Sequence, residues 1–224
     1  TLEDHAYLAW AYLELYRTTQ EPVWLGSLAG MADVIRRDFA DEENGGFFMA
    51  AVDVDDLVFR PKELYDGAAP SGNSVTAYAL CALAELTGEL DWRERADAQL
   101  LYLAPGVRQS PAGHCFAALA LLLRTTPNRE LTALFPDARN RKQALKSLHP
   151  HLDDSLWMVS VTPEEFGPMI RISPMLREHE GELGRTLFYL CRAESCYAPM
   201  EGLPQLEALL RQTGEDGRAG GPGR

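Results

Sequence analysis

A chain of 224 residues holds one substantial core or part of a larger one. It has no run of about 18 uncharged apolar residues and no basic flank ahead of an apolar stretch, so it predicts no membrane span or secretory leader and points to a soluble, cytoplasmic protein. Acidic residues outnumber basic ones 33 to 21, and the net charge of -12 repels an anionic polymer, which argues against a nucleic-acid partner.

From Leu2 the apolar positions Leu2, Ala6, Ala9, Leu13 and Tyr16 recur at steps of four and three, the one-face pattern of an α-helix. Behind Pro22, a residue suited to a helix entrance, Trp24, Leu28, Met31, Ile35 and Phe39 repeat the pattern, and the two segments predict a helical hairpin. After Asn44-Gly45-Gly46, the extended-looking Phe47-Phe48-Met49 and Leu57-Val58-Phe59 flank the acidic stretch Asp53 to Asp56, which predicts a short β-hairpin with a solvated loop. Residues 60–74 are rich in turn formers and lead into a long apolar helix from Ser74 to Thr87, followed by an amphipathic helix from Asp91 to Leu103.

The apolar run from Cys115 to Leu123 predicts a further buried helix, and Arg129 to Leu148 a weaker, more exposed one interrupted at Pro136. Ser155 to Val161 and Thr186 to Cys191 have the content of buried strands, and Pro204 to Arg211 predicts a short final helix. The glycine-rich tail from Gly214 predicts disorder. The expected organisation is therefore a helical-hairpin portion over 1–148, a C-terminal extension with short strands and a helix over 149–213, and a tail over 214–224.

An internal repeat bears on architecture. Thr19 to Trp24 lies over Thr87 to Trp92 at an offset of 68, and Pro70 to Ser74 lies over Pro111 to Cys115 at an offset of 41. Three helices, beginning near Asp4, Asn73 and His114, therefore start alike. Apolar inner helices alternating with solvated outer ones describe a toroid of hairpins, with the polar starts of the inner helices at one rim of a common lumen.

Glu3-Asp4-His5-Ala6, Gly45-Gly46-Phe47-Phe48, Arg60-Pro61-Lys62-Glu63, Asp66-Gly67 with Pro70 to Ser74, and Cys191 with Cys196 and Pro199 occur in that order. Together they resemble the C-terminal part of the conserved thioredoxin-domain protein family that includes the spermatogenesis-associated protein 20 group and its bacterial relatives. The resemblance implies a mostly α fold: part of an (α/α)6 toroid similar to N-acylglucosamine 2-epimerases and six-hairpin glycosidases, here with a short β-hairpin and a small C-terminal α/β segment. It also implies that the chain is a fragment or truncated product, lacking the family's N-terminal thioredoxin-like domain and about half of the toroid. The family more often carries a tyrosine where this sequence has His5.

Asp4 and His5 at a helix start are candidates for an acid/base pair, against the reading that Asp4 serves the helix terminus. An epimerase needs one base and one acid on opposite faces of the substrate, and His5 with His114 are the imidazoles that the repeat register offers. A glycosidase needs two carboxylates, for which Asp4 and Asp66 are candidates, against a turn at Asp66-Gly67 and a salt-bridged wall of Lys62 and Glu63. Ser71 and Asn73 could hold a hydroxyl or phosphate at a helix N-terminus, or simply cap it.

The catalytic candidates are thus Asp4, His5, Asp66 and His114, and the substrate-binding candidates Glu3, Lys62, Glu63, Ser71 and Asn73. Cys191 and Cys196 lack the spacing of a redox or zinc pair and are expected to be packed thiols. His149-Pro150-His151 is expected at the surface. No metal and no cofactor is expected, and serine-nucleophile, Rossmann and Walker signatures are absent. Two functions compete: an epimerase- or glycosidase-like domain that binds or processes a carbohydrate or polyol, and a non-catalytic module that docks a thioredoxin-like domain. Half a toroid leaves apolar hairpin edges, through which self-association is expected.

Overall fold

The computed structural model describes residues 1–219 apart from Asp55, Asp56, Asp154, Ala193 and Glu194, with the backbone alone for 214–219. The chain divides into two compact units. The first is Thr1–Thr126 with Arg171–Met175, and the second is Pro127–Ile170 with Leu176–Arg224. The boundary expected after residue 148 instead falls at Pro127.

The first unit is built from α1 (Leu2–Thr19), α2 (Pro22–Phe39), α3 (Gly72–Thr87), α4 (Leu90–Gln109) and α5 (Cys115–Thr125). Thr1 and Asp4 form a reciprocal capping box on α1, satisfying donors that the first helical turn leaves open. Pro22 opens α2 at a position where its missing N–H costs nothing. Ser71 caps α3 through the Ser74 N–H, and Gly88, left-handed at φ 70°, ends it. The α4 helix runs past the expected Leu103 and through Pro105 to Gln109.

The α1–α2 and α3–α4 pairs are helical hairpins, and α1 and α5 each pack against α3. The central helix α3 is buried at every position but Glu85, which is why its sequence shows apolar residues all round. Residues 171–175 join this unit through the Ser173 hydroxyl, which donates to the Leu86 carbonyl at 3.0 Å.

The β-hairpin expected across 47–59 does not form among the described residues. Phe47 makes an isolated bridge with Ala40, the Phe48 N–H donates to the Phe39 carbonyl, and the Met49 N–H donates to the Pro61 carbonyl. Leu57, Val58 and Phe59 are exposed. An apolar run forms a strand only where a neighbouring strand pairs with it and a surface covers one face, and the side chains of Leu57, Val58 and Phe59 stay exposed. Of the acidic loop, Asp55 and Asp56 lie outside the described residues.

The second unit holds β1 (Arg129–Leu134), α6 (Ala138–Leu148), β2 (Leu156–Val161), α7 (Phe166–Ile172), β3 (Leu187–Arg192), β4 (Ser195–Cys196) and α8 (Leu203–Ala219). The last two residues of α7 belong to the first unit. The sheet order is β2-β1-β3-β4, with β1 parallel to β2 and antiparallel to β3. Leu131, Ala133, Phe135, Met158, Phe188 and Leu190 pack with Leu145 and Leu148 of α6 and Leu206 and Leu210 of α8. Both strands expected from their apolar content are present.

The single helix expected over Arg129 to Leu148 is instead a strand and a helix. Leu131 and Ala133 alternate with Glu130 and Thr132, the period of a strand, and after Pro136 the Asp137 side chain caps α6 by accepting from the Asn140 N–H at 2.8 Å. The final helix is longer than the expected 204–211. Its backbone continues to Ala219 into the tail expected to be disordered, of which 220–224 lie outside the described residues. Overall the described chain is mostly helical, with one small sheet.

Candidate functional site

The starts of α1, α3 and α5 meet. A Cβ on Gly72 would stand 2.9 Å from the Leu2 side chain and 3.2 Å from the Glu3 nitrogen, so α1 and α3 approach at a point where only glycine fits. The Tyr7 hydroxyl donates to the Pro70 carbonyl at 2.6 Å. Asp66, 8% exposed, ties α3 to α5. One of its oxygens accepts from the Ser71 N–H at 2.8 Å, and the other from the N–H groups of Phe116 at 2.8 Å and Ala117 at 3.1 Å. Both carboxylate oxygens are therefore spent on open donors at helix starts. Asp66 acts as a staple, and the expected Asp66-Gly67 turn is not its main work.

The other candidates are held in specific ways. Asp4 is exposed in its capping box, and the Thr1 hydroxyl, then the terminal ammonium, hold its carboxyl below the ordinary value. The Nδ1 of His5 lies 2.7 Å from the Thr1 carbonyl, which can only accept, so Nδ1 carries the hydrogen. Its ring lies 5.0 Å from that of Phe39. The Nδ1 of His114 stands likewise 2.9 Å from the Ser110 carbonyl, and its Nε2 presses on Gly106 of α4. The two imidazoles pack on different neighbours.

Lys62 does not pair with Glu63 as expected. Its ammonium lies 2.7 Å from Asp41, also donates to the Gly45 carbonyl, and stands over the rings of Phe48 and Tyr102. That ammonium, with backbone N–H groups of the 43–44 turn, holds the Asp41 carboxyl far below its usual range. Glu63 folds back to accept from the N–H groups of Leu64 and Tyr65.

Asn73 is fully buried. Its oxygen accepts from the Phe47 N–H and from Gln99, and its nitrogen donates to the carbonyls of Phe47 and Glu63. An amide that makes four bonds has none left for a ligand. Ser71 is likewise used as the α3 cap, its hydroxyl donating to Ser74 at 2.9 Å.

Residues that the repeat did not single out line the face above this junction. Trp10 of α1 stands 4.9 Å from Phe116 of α5 and 6.4 Å from Tyr78 of α3, and Tyr78 lies 5.4 Å from Phe116, so three helices contribute to one aromatic cluster. Tyr7 adjoins Trp10 at 6.4 Å. Trp10 donates to Glu14 at 3.1 Å, and Arg17 donates to the Tyr78 hydroxyl at 3.5 Å. Tyr7, Trp10 and Phe116 are half-buried. Burial, then the charges of Glu3 and Asp66, raise the Tyr7 hydroxyl above its ordinary value. The signal for this face was present in the sequence: Glu3, Tyr7, Trp10, Glu14 and Arg17 follow the same four-three steps as the apolar stripe, one residue out of phase.

On the opposite edge of α3, a cleft of about 280 Å³ is lined by residues of α2, α4 and the 41–47 loop, among them Arg36, Glu42, Arg95 and Gln99. Among the described residues no group of three His, Cys, Asp or Glu side chains could hold a metal ion. In the second unit Cys191 and Cys196 form a disulfide between facing positions of β3 and β4, correcting the expectation of separate thiols. His149 and Pro150 are exposed, as expected, while His151 is half-buried, and the three residues form a short 3-10 helix. No helix among the described residues is long and apolar enough to cross a membrane.

No family model matches the sequence. The chain is homologous to spermatogenesis-associated protein 20: it is 27% identical to the rat protein over 213 residues, 28% to the mouse protein over 218 and 25% to the human protein over 211. These matches cover 94%, 94% and 93% of this chain but 27% of each relative, so the chain spans about a quarter of their length.

Proposed function

We propose, from this homology and the packing of the hairpins, that the first unit is a sector of an (α/α) toroid whose inner face binds a carbohydrate or similar polyol. One observation carries the reading: the half-buried rings of Tyr7, Trp10 and Phe116 share a face with Glu3, Glu14 and Arg17. Aromatic faces stack on the C–H side of a sugar ring, and carboxylates and guanidinium groups take its hydroxyls. Ligand sites commonly combine apolar and aromatic walls with a few converging polar groups. The close approach of the α1 and α3 starts and the Asp66 link between the α3 and α5 starts support the toroid.

In this reading the polar rim residues Asp66, Ser71 and Asn73 hold the helices that present the aromatic face, and Glu3 is the rim carboxylate that shares the α1 face of Tyr7 and Trp10. Asp4, His5 and His114 remain the acid/base candidates of the same rim, Asp4 held by the hydroxyl and ammonium of Thr1 and each histidine by one hydrogen bond to a carbonyl four residues before it. The test is a titration with a panel of neutral mono- and disaccharides followed by NMR. Saturable shifts on α1 and α5 are expected, weakened at least tenfold by Trp10→Ala with circular dichroism unchanged; no saturable shift with any sugar removes the reading.

A second reading, a docking module for a thioredoxin-like domain, is favoured by the exposed side chains of Val58 and Phe59. Binding of such a domain that is lost on Val58→Asp with Phe59→Ser and kept in Trp10→Ala would establish it in place of the first.

A further inference from the structure

The cleft between α2, α4 and the 41–47 loop is not used by the inner face. Its charged groups divide into two kinds. Arg95 is neutralised by Asp33 at 3.0 Å and Asp91 at 2.5 Å, and Asp41 by Lys62. The side chains of Arg36 and Glu42, which also line the cleft, make no hydrogen bond or ion pair with any described residue, nor with each other. One cation and one carboxylate, both exposed and without a partner among the described residues, thus line a single cleft.

The remaining walls are small or apolar, including Ala32, Leu80 and Ala98. Gly46, left-handed at φ 72°, leaves room where a Cβ would meet the Tyr102 ring at 2.2 Å, so the loop that closes the cleft is fixed by a residue without a side chain. At about 280 Å³ the cavity lies at the small end of ligand sites.

We infer that this cleft binds a small anionic polyol, a sugar-sized molecule bearing a phosphate or a carboxylate. The anionic end meets the Arg36 guanidinium, whose planar fork donates to two oxygens of either group. The hydroxyls meet Glu42, a carboxylate that accepts but does not donate. A simple anion engages only Arg36, and a neutral sugar only Glu42, so the cleft favours a molecule that carries both functions.

Calorimetric titration at low ionic strength with glucose 6-phosphate, glucuronate, glucose and inorganic phosphate tests this on the whole chain. Saturable binding of glucose 6-phosphate or glucuronate is expected, whichever of the two binds tighter identifying the anionic group, with glucose and inorganic phosphate at least tenfold weaker. Arg36→Ala weakens the anionic polyols at least tenfold. Glu42→Gln weakens them while leaving inorganic phosphate unchanged. Arg108→Ala, at an exposed arginine away from the cleft, has no effect, and Trp10→Ala has none, which separates this site from the inner face. Failure of both anionic polyols to saturate, equal binding by Arg36→Ala, or equal losses in Arg36→Ala and Arg108→Ala would overturn the assignment.

Discussion

Asp66 shows how a residue type that suits catalysis can be committed elsewhere. Its carboxylate accepts three backbone N–H groups from the starts of two helices. Removing it leaves buried donors unsatisfied, and such losses cost about 1–3 kcal/mol, more where the acceptor is charged. Asp66→Ala is expected to destabilise the chain by about 2–4 kcal/mol in urea unfolding, and Asp66→Asn nearly as much, because an amide nitrogen would face one set of N–H groups. A purely catalytic role predicts unchanged stability for Asp66→Asn.

The cysteines make a second test at this scale. Cys115 is exposed, whereas Cys81 is buried and its thiol is pushed up to about 12 by burial. A thiol reagent on the native chain should modify Cys115, unfolding without reductant should add Cys81, and Cys191 and Cys196 should appear only after reduction. Modification of Cys191 or Cys196 before reduction would refute the disulfide.

At the scale of elements, the segment that joins the hairpins depends on a charged clasp. Arg60 donates to the carbonyls of Ala50 and Asp38, and Lys62 joins Asp41 to Gly45. The folded Asp41 carboxyl is held below its ordinary value of 3.8. Folding therefore favours its ionised form. The resulting stability is complete above that ordinary value and is lost as pH falls from there through the folded value. Lys62→Met removes the largest cause, and its acid-unfolding midpoint is expected at higher pH than that of the parent chain, read by circular dichroism; an unchanged midpoint would show that the pair adds nothing to acid stability.

Elements also show where periodicity sufficed. The α1 stripe is buried at every expected position, and in α2 Leu28, Ile35 and Phe39 are buried while Leu25 and Ala32 take the places expected of Trp24 and Met31, one residue further round the helix. In the stretch 129–134 the alternation of Leu131 and Ala133 with Glu130 and Thr132 spans only four residues behind charged Arg129, too short a signal by itself to separate strand from helix. Its pairing with β2 and β3, both distant in sequence, made it a strand.

For the whole molecule, the excess of 33 acidic over 21 basic residues dominates any encounter with a polyanion. A DNA duplex should show no mobility shift with the chain at about 0.15 M salt, where the Debye length is about 8 Å; a shift that weakens with added salt would reveal a basic surface that net charge conceals.

The sequence by itself determined the hairpins of the first unit and the two apolar strands of the second, because those features are written in spacing between near neighbours; the three helix starts expected to be alike are instead capped by Thr1 with Asp4 in α1, by Ser71 in α3 and by no side chain of the residue before α5. It also placed the rim candidates along the chain. Only the tertiary structure decided their partners: that Asp66 and Asn73 are consumed in holding helices together, that Lys62 turns to Asp41, that Cys191 joins Cys196, and that Tyr7, Trp10, Tyr78 and Phe116 converge on one face. A side chain's spare bonding capacity depends on groups tens of residues away, and distance along the chain does not report proximity in the fold.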